Sequence, residues 1–75
     1  MSILRKLSGL ELIKILSKAG FEAVRQRGSH VILIKETPDG KVGCTVPLHK
    51  ELKIGAIKGI LRQARIPERE FIDMI

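Results

Sequence analysis

Two short segments rich in β-branched residues flank a turn sequence, and this pattern constrains the fold more than any other feature of the chain. The turn sequence is Thr37-Pro38-Asp39-Gly40, in which proline, aspartate and glycine stand where tight turns favour them. It predicts a β-hairpin with strands near residues 29–36 and 41–47. Pro47 closes the second strand, because proline has no N–H to donate to a neighbouring strand.

Helix signals stand on both sides of this hairpin. Ser8 and Glu11 have the spacing of a capping box and predict a first helix over about residues 9–19. Apolar residues at helical spacing predict a second helix over about residues 54–64, and Pro67 can begin a short third helix. The apolar stripe expected on the first helix consists of Leu10, Leu12, Ile13, Ile15, Leu16 and Ala19.

A further strand after Phe21, with a turn at Gly28-Ser29, completes the order α-β-β-β-α with a terminal turn of helix. Three strands cannot bury their apolar face alone, so both long helices are expected on one face of a three-stranded antiparallel sheet. The predicted fold class is α+β, a two-layer single domain over residues 1–75. Double-stranded-RNA-binding domains share this element order, which is an analogy of architecture and not evidence of function.

The chain is strongly basic, with 14 Lys and Arg against 8 Asp and Glu in 75 residues and a net charge of +6. The excess lies in residues 1–67, which hold 13 of the basic residues and 5 of the acidic ones. Such a field attracts polyanions, of which nucleic acid is the commonest in the cytosol. A charged surface that serves only solubility is the alternative at this point.

A single cysteine, Cys44, lies in an apolar stretch and is expected to be a reduced, buried thiol in a cytoplasmic protein. It can form no disulfide within the chain, so a domain this small is expected to gain stability from association, including formation of a homo-oligomer. Both alternating sets of residues in the middle strand are apolar, which makes its second face an interface candidate.

The N-terminal sequence gives no sign of export. Arg5 and Lys6 interrupt its apolar residues, so no signal peptide is expected. Nowhere does an apolar run reach the ~18 residues that span a bilayer, so no membrane partner is expected either.

Two histidines are the side chains expected to exchange protons near neutral pH. His30 opens a predicted strand, His49 follows Pro47, and their spacing relative to Cys44 is not that of a zinc site, so neither a metal nor a cofactor is expected. From spacing alone, an ordinary strand-edge histidine is the better interpretation of His30, and a surface-loop histidine that of His49.

An ordered set of motifs changes this interpretation. The set comprises Ala19-Gly20-Phe21 at a helix end, Arg25-Gln26-Arg27-Gly28-Ser29-His30, the Asp39-Gly40 turn, Thr45-Val46-Pro47-Leu48-His49 and the second helix. In this order the motifs resemble the HicA mRNA interferase toxins over about residues 5–71. Two positions depart from the family pattern: Ala56 stands where threonine is common, and Arg65 where a glycine commonly ends the helix.

The resemblance implies the toxin of a type II toxin–antitoxin system, a metal-independent endoribonuclease that cleaves mRNA. The catalytic histidine of the family's Gly-Ser-His motif falls on His30. We expect a HicB-type antitoxin to cover this residue. The residues expected to bind RNA are Arg25, Arg27, Ser29 and Lys53, and His49 is a candidate second proton carrier.

The chemistry of RNA cleavage agrees with this charge pattern. RNA carries its own nucleophile, the 2′-hydroxyl, so cleavage needs a base, an acid for the leaving oxygen, and cations for the charge that develops on phosphate. Histidine suits either proton role. Two alternatives stay open, namely a non-catalytic RNA-binding module of double-stranded-RNA-binding shape and a protein-interaction domain whose basic surface meets an acidic partner.

Overall fold

The computed structural model describes residues 7–75, and its elements follow the predicted order. They are α1 (Gly9–Lys18), β1 (Glu22–Arg27), β2 (His30–Thr37), β3 (Gly40–Pro47), α2 (Ile54–Ala64) and α3 (Glu68–Met74). The strands form one antiparallel sheet in the order β1-β2-β3, so β2 is central. The predicted α+β class is confirmed, and the arrangement is compatible with the architecture of double-stranded-RNA-binding domains.

The expectation that the chain lacks a signal peptide concerns residues 1–6, which lie outside the described part of the chain. Among the helices that the structure describes, none is long and apolar enough to cross a membrane.

The capping box at the start of α1 is formed as predicted. The Glu11 N–H donates to Ser8 Oγ at 3.1 Å, and the Ser8 N–H donates to Glu11 Oε1 at 2.9 Å. Leu12 and Leu16 are both 0% exposed, whereas Leu10 is 64% exposed. The prediction that Leu10 belongs to the buried stripe is wrong. Leu10 is two positions before Leu12, so the two side chains point about 200° apart around the helix.

Two tight turns join the three strands. The turn Gly28-Ser29 connects β1 to β2, and the turn Pro38-Asp39 connects β2 to β3. Gly28 has a φ of 58° and Gly40 a φ of 123°, in a region that glycine adopts without the steric cost that a side chain brings. Both predicted turns are confirmed, and β2 and β3 run one residue closer to the hairpin tip than predicted.

The helices cover one face of the sheet and leave the other open. Alternate residues of the two hairpin strands are buried in one core with the helices; they are Val31, Leu33, Val42, Cys44 and Val46. The intervening side chains point to the opposite side, which we call the open face, and there Ile32 and Ile34 are half-buried. The two-layer arrangement is therefore confirmed.

Cys44 is a structural thiol. It is 3% exposed in the core, as predicted, and its burial raises the pKa of the thiol to about 11. The side chain is therefore protonated at neutral pH and unsuited to act as a nucleophile.

Both long helices end in the same left-handed motif, but with different residues. After α1, the Phe21 N–H donates to Leu16 O at 3.0 Å, and the left-handed position is Gly20 with a φ of 101°. After α2, the Ile66 N–H donates to Leu61 O at 2.9 Å, and the left-handed position is Arg65 with a φ of 57°. Arg65 occupies this conformation at a steric cost, because its Cβ approaches the backbone.

Replacing Arg65 with glycine is expected to raise the free energy of unfolding by about 0.5–1 kcal/mol, because glycine adopts the left-handed conformation without strain. Part of the gain is lost because glycine also increases the conformational entropy of the unfolded chain. Thermal or urea unfolding measures this change. Arg65→Ala is the matched control, because it removes the same charge but keeps a Cβ. An equal gain from alanine and glycine would contradict the backbone explanation.

Candidate functional site

His30 is the first residue of β2 and lies between two strands. Its backbone pairs with Arg27 of β1 on one side and with Pro47 of β3 on the other. Side chains alternate along a strand, so His30 shares the open face with Ile32, whereas buried Val31 faces the helices. The imidazole is exposed and therefore accessible to a large ligand.

A β-bulge at Val24 determines which face the arginines of β1 occupy. Ala23 lies opposite a buried leucine of β2, so strict alternation would place Arg25 and Arg27 on the face that the helices cover. The register shifts by one residue at Val24, and the two arginines therefore pair with open-face residues of β2. We call the resulting group, Arg25, Arg27 and His30, the basic sheet end.

The segment Pro47–His49 runs beside the start of β2. The Leu48 N–H donates to Ser29 O at 2.6 Å, one residue beyond the last paired residues of β2 and β3. Ser29 is exposed in the turn that precedes β2. His49 is also exposed, and its carbonyl oxygen accepts a hydrogen bond from the Gly9 N–H at 2.9 Å. Both histidines therefore lie at the same end of the sheet.

Lys53 lies outside the sheet, at the start of α2. It is the N-cap residue of α2, six residues beyond Pro47, and the loop between them turns back so that the Leu52 N–H donates to Leu7 O at 2.6 Å. An ammonium group cannot accept hydrogen bonds from the first N–H groups of a helix. Lys53 therefore contributes an exposed positive charge at this helix start and no side-chain cap.

The basic sheet end is an open surface. A groove of about 410 Å³ lies on the same face at the opposite end of the sheet, and it is lined by Gly20, Glu22, Val24, Ile34, Glu36 and Lys41. Among residues 7–75, no three His, Cys, Asp or Glu side chains are grouped so that they could hold a metal ion. An exposed row of cations suits an extended polyanion better than a small molecule, because each phosphate of a strand can meet a separate side chain.

One residue without a clear sequence signal lies next to this surface. Gly9 is buried at the first position of α1, and a Cβ there would overlap the carbonyl oxygen of Pro47 and lie 3.0 Å from Leu48 Cα. Its sequence signal is weak, namely a glycine inside a capping box, where most other residues form helix more readily.

The fold and the basic sheet end define a small α+β domain that presents one histidine and two arginines on the open face of its sheet. A family model described as the HicA toxin of bacterial toxin–antitoxin systems matches residues 9–66, which include α1, the whole sheet and α2. The chain belongs to this toxin family, and the resemblance seen in the sequence is confirmed. Membership implies an antitoxin as partner. No curated protein matches the chain.

Proposed function

We propose that this protein is the toxin of a type II toxin–antitoxin system and that it cleaves mRNA in the cytoplasm as a metal-independent endoribonuclease. The observation that carries the proposal is the placement of His30, an exposed imidazole beside Arg27 and on the same open face as Arg25. Membership in the HicA toxin family supports the toxin role. The net charge of +6 supports a polyanionic substrate.

The proposed reaction uses the 2′-hydroxyl of the RNA as its nucleophile. A base takes the hydroxyl proton, the oxygen attacks the adjacent phosphorus, and the 5′-oxygen leaves with a proton from an acid. The step yields a 2′,3′-cyclic phosphate and a 5′-hydroxyl, so it consumes no co-reactant. His30 carries out one proton transfer, and His49, at the same end of the sheet, is the proposed carrier of the other proton.

The cations have a separate role in this proposal. Arg25 and Arg27 bind the phosphates on either side of the cleaved bond and stabilise the negative charge that grows on the oxygens of the attacked phosphate. Ser29 adds a hydroxyl in the turn next to His30, and Lys53 adds a charge at the start of α2. Because these cations lie on an open face, the RNA can bind and dissociate without movement of a lid.

We propose that a HicB-type antitoxin neutralises the toxin by covering the basic sheet end. Ile32 and Ile34 lie half-buried in the middle of the open face, so a protein placed there gains apolar burial. The same protein would block His30, which shares that face. Protection of His30 from ring modification by diethyl pyrocarbonate in the complex is the expected result, and equal modification of the free and bound toxin would contradict this arrangement.

The proposed reaction is tested with paired substrates. In EDTA, the protein should cleave a single-stranded RNA and should not cleave the same strand carrying 2′-deoxyribose at the cleavage sites, because that strand lacks the nucleophile. Its RNA products should end in 2′,3′-cyclic phosphates. Cleavage of the deoxy-substituted strand, or loss of activity in EDTA, would contradict the mechanism. Binding of both strands with cleavage of neither would favour the non-catalytic RNA-binding module.

Replacing both Arg25 and Arg27 with alanine is expected to weaken binding of single-stranded RNA by about tenfold. The slope of the logarithm of the binding constant against the logarithm of the salt concentration should become less steep by about 1.4, because each phosphate contact with a single strand contributes about 0.7. Fluorescence anisotropy over a range of salt concentrations measures both. A Lys41→Ala/Arg69→Ala variant removes the same charge from the hairpin tip, at the far end of β2 from His30, and from α3, outside the sheet. Equal effects of the two double variants would show that only net charge matters.

A further inference from the structure

The N-terminus of α1 is in direct backbone contact with the segment that follows β3. A Cβ on Gly9 would overlap the carbonyl oxygen of Pro47 and would lie 3.0 Å from Leu48 Cα. Both neighbours are backbone atoms, so no change of side-chain rotamer can make room. The helix can approach this segment so closely only because Gly9 has no side chain.

The segment Pro47–His49 is held from two sides. On the helix side, the Gly9 N–H donates to His49 O at 2.9 Å. On the sheet side, the Leu48 N–H donates to Ser29 O at 2.6 Å, and Pro47 is the cross-strand partner of His30. The backbone of both histidines is therefore attached to a segment whose position the N-terminus of α1 determines.

The other helical glycines differ from Gly9. Within 4 Å of an added Cβ, Gly55 and Gly59 of α2 meet no heavy atom among the residues that the structure describes. Each of these could carry a side chain in the isolated domain. Gly9 alone of the three helical glycines is fixed by a contact, and that contact adjoins the basic sheet end.

We propose that Gly9 is a positioning residue for RNA cleavage, which fixes His30 and His49 relative to each other by allowing α1 to clamp the Pro47–His49 segment. This inference rests on the proposed function. A methyl group at position 9 must push the segment away from the helix, and the Ser29–His30 backbone follows because it is bonded to Leu48 and paired with Pro47. The two proton carriers then lose their alignment, whereas Arg25, which pairs with Ile32 farther along β2, keeps its position.

The test compares Gly9→Ala with Gly59→Ala, the same substitution at a helical glycine with open space around it. Both are made in the Arg65→Gly background, whose added stability offsets part of the cost of the overlap at position 9. They are assayed at a temperature where unfolding curves show both to be folded. Gly9→Ala is expected to lower kcat by about 10²-fold, because a misplacement of about 1 Å costs that much, with little change in KM. Gly59→Ala is expected to keep the kcat of its background.

Nuclear magnetic resonance gives a readout that does not depend on cleavage. In Gly9→Ala the amide signals of Ser29, His30, Leu48 and His49 are expected to move, whereas those of the hairpin tip stay in place. A second variant leaves Gly9 without a side chain and replaces its amide N–H with an ester oxygen, which removes the hydrogen bond to His49 O. It should lower kcat in the same direction, and it decides the question if the alanine variant does not fold.

Folded Gly9→Ala protein with unchanged kcat overturns the proposal, as does unchanged kcat in the ester variant when the alanine variant does not fold. A fall in kcat that matches the unfolded fraction, or an equal fall in Gly59→Ala, overturns it too. If neither wild type nor variant cleaves RNA, the proposed function fails, and the amide signals of His30 and Leu48 alone decide whether Gly9 positions this end of the sheet. Unmoved signals then refute the positioning of this end of the sheet by Gly9. Moved signals support that positioning, whereas its role in RNA cleavage fails together with the proposed function.

Discussion

Replacing His30 with alanine is expected to lower the rate constant of RNA cleavage by about 10²–10⁴-fold, the usual contribution of one side chain that transfers a proton. Folding should be little affected, because His30 is exposed and its pairing with Arg27 and Pro47 uses backbone atoms. RNA binding should also be retained, since the arginines remain. Single-turnover cleavage in EDTA, together with thermal unfolding and anisotropy, measures the three quantities separately.

His49→Ala is the comparison variant for this experiment. If the two histidines act as base and acid, each single variant is expected to lose cleavage activity while it keeps RNA binding. Expression of His30→Ala should permit growth of a host that the wild type arrests. Undiminished cleavage by folded His30→Ala protein would refute the catalytic assignment, whereas undiminished cleavage by His49→Ala would refute only the role of His49.

Replacing Leu33 with alanine is expected to cost about 2–5 kcal/mol of the free energy of unfolding, because the side chain is 0% exposed at the centre of β2 and its loss leaves a cavity. A chain of 75 residues has a total of about 4–11 kcal/mol at the usual stability per residue, so this change removes a large share. Urea unfolding measures the loss.

Ile34→Ala is the matched control for Leu33→Ala, because it changes the next residue of the same strand on the open face. Ile34 is half-buried, so its replacement is expected to cost about 1 kcal/mol in the isolated toxin. A larger loss at Ile34 than at Leu33 would mean that the helices cover the other face of the sheet. Antitoxin binding should show the opposite order: among folded variants, Ile34→Ala should weaken it more than Leu33→Ala.

The helices and turns could be predicted because local interactions determine them. The side chains of Ser8 and Glu11 accept hydrogen bonds from each other's backbone N–H groups within one turn of helix. The start of α1 can therefore be predicted without knowledge of the rest of the chain. The turns at Gly28 and Gly40 depend similarly on a backbone conformation that glycine adopts readily. The family motif selected His30, which periodicity alone would have left as an ordinary strand residue.

The side chain arrangement around His30 could not be predicted, because it depends on pairing between distant residues. The sequence around Val24 carries no bulge signal, yet the bulge sets the face on which Arg25 and Arg27 lie. The importance of Gly9 depends on its contact with Pro47 and Leu48, nearly forty positions along the chain. A helical periodicity cannot say which of two adjacent apolar rows meets the sheet, which explains the error over Leu10.

The bulge in β1 also bears on how the free toxin avoids aggregation. β1 is an edge strand of the sheet and leaves one side of its backbone without a partner strand among the described residues. A distorted ladder with charged side chains at Glu22, Arg25 and Arg27 is a poor template for a second copy, since natural sheets use both devices to prevent edge-to-edge growth. The bulge that places the arginines on the open face thus also opposes aggregation when the protein accumulates without its antitoxin.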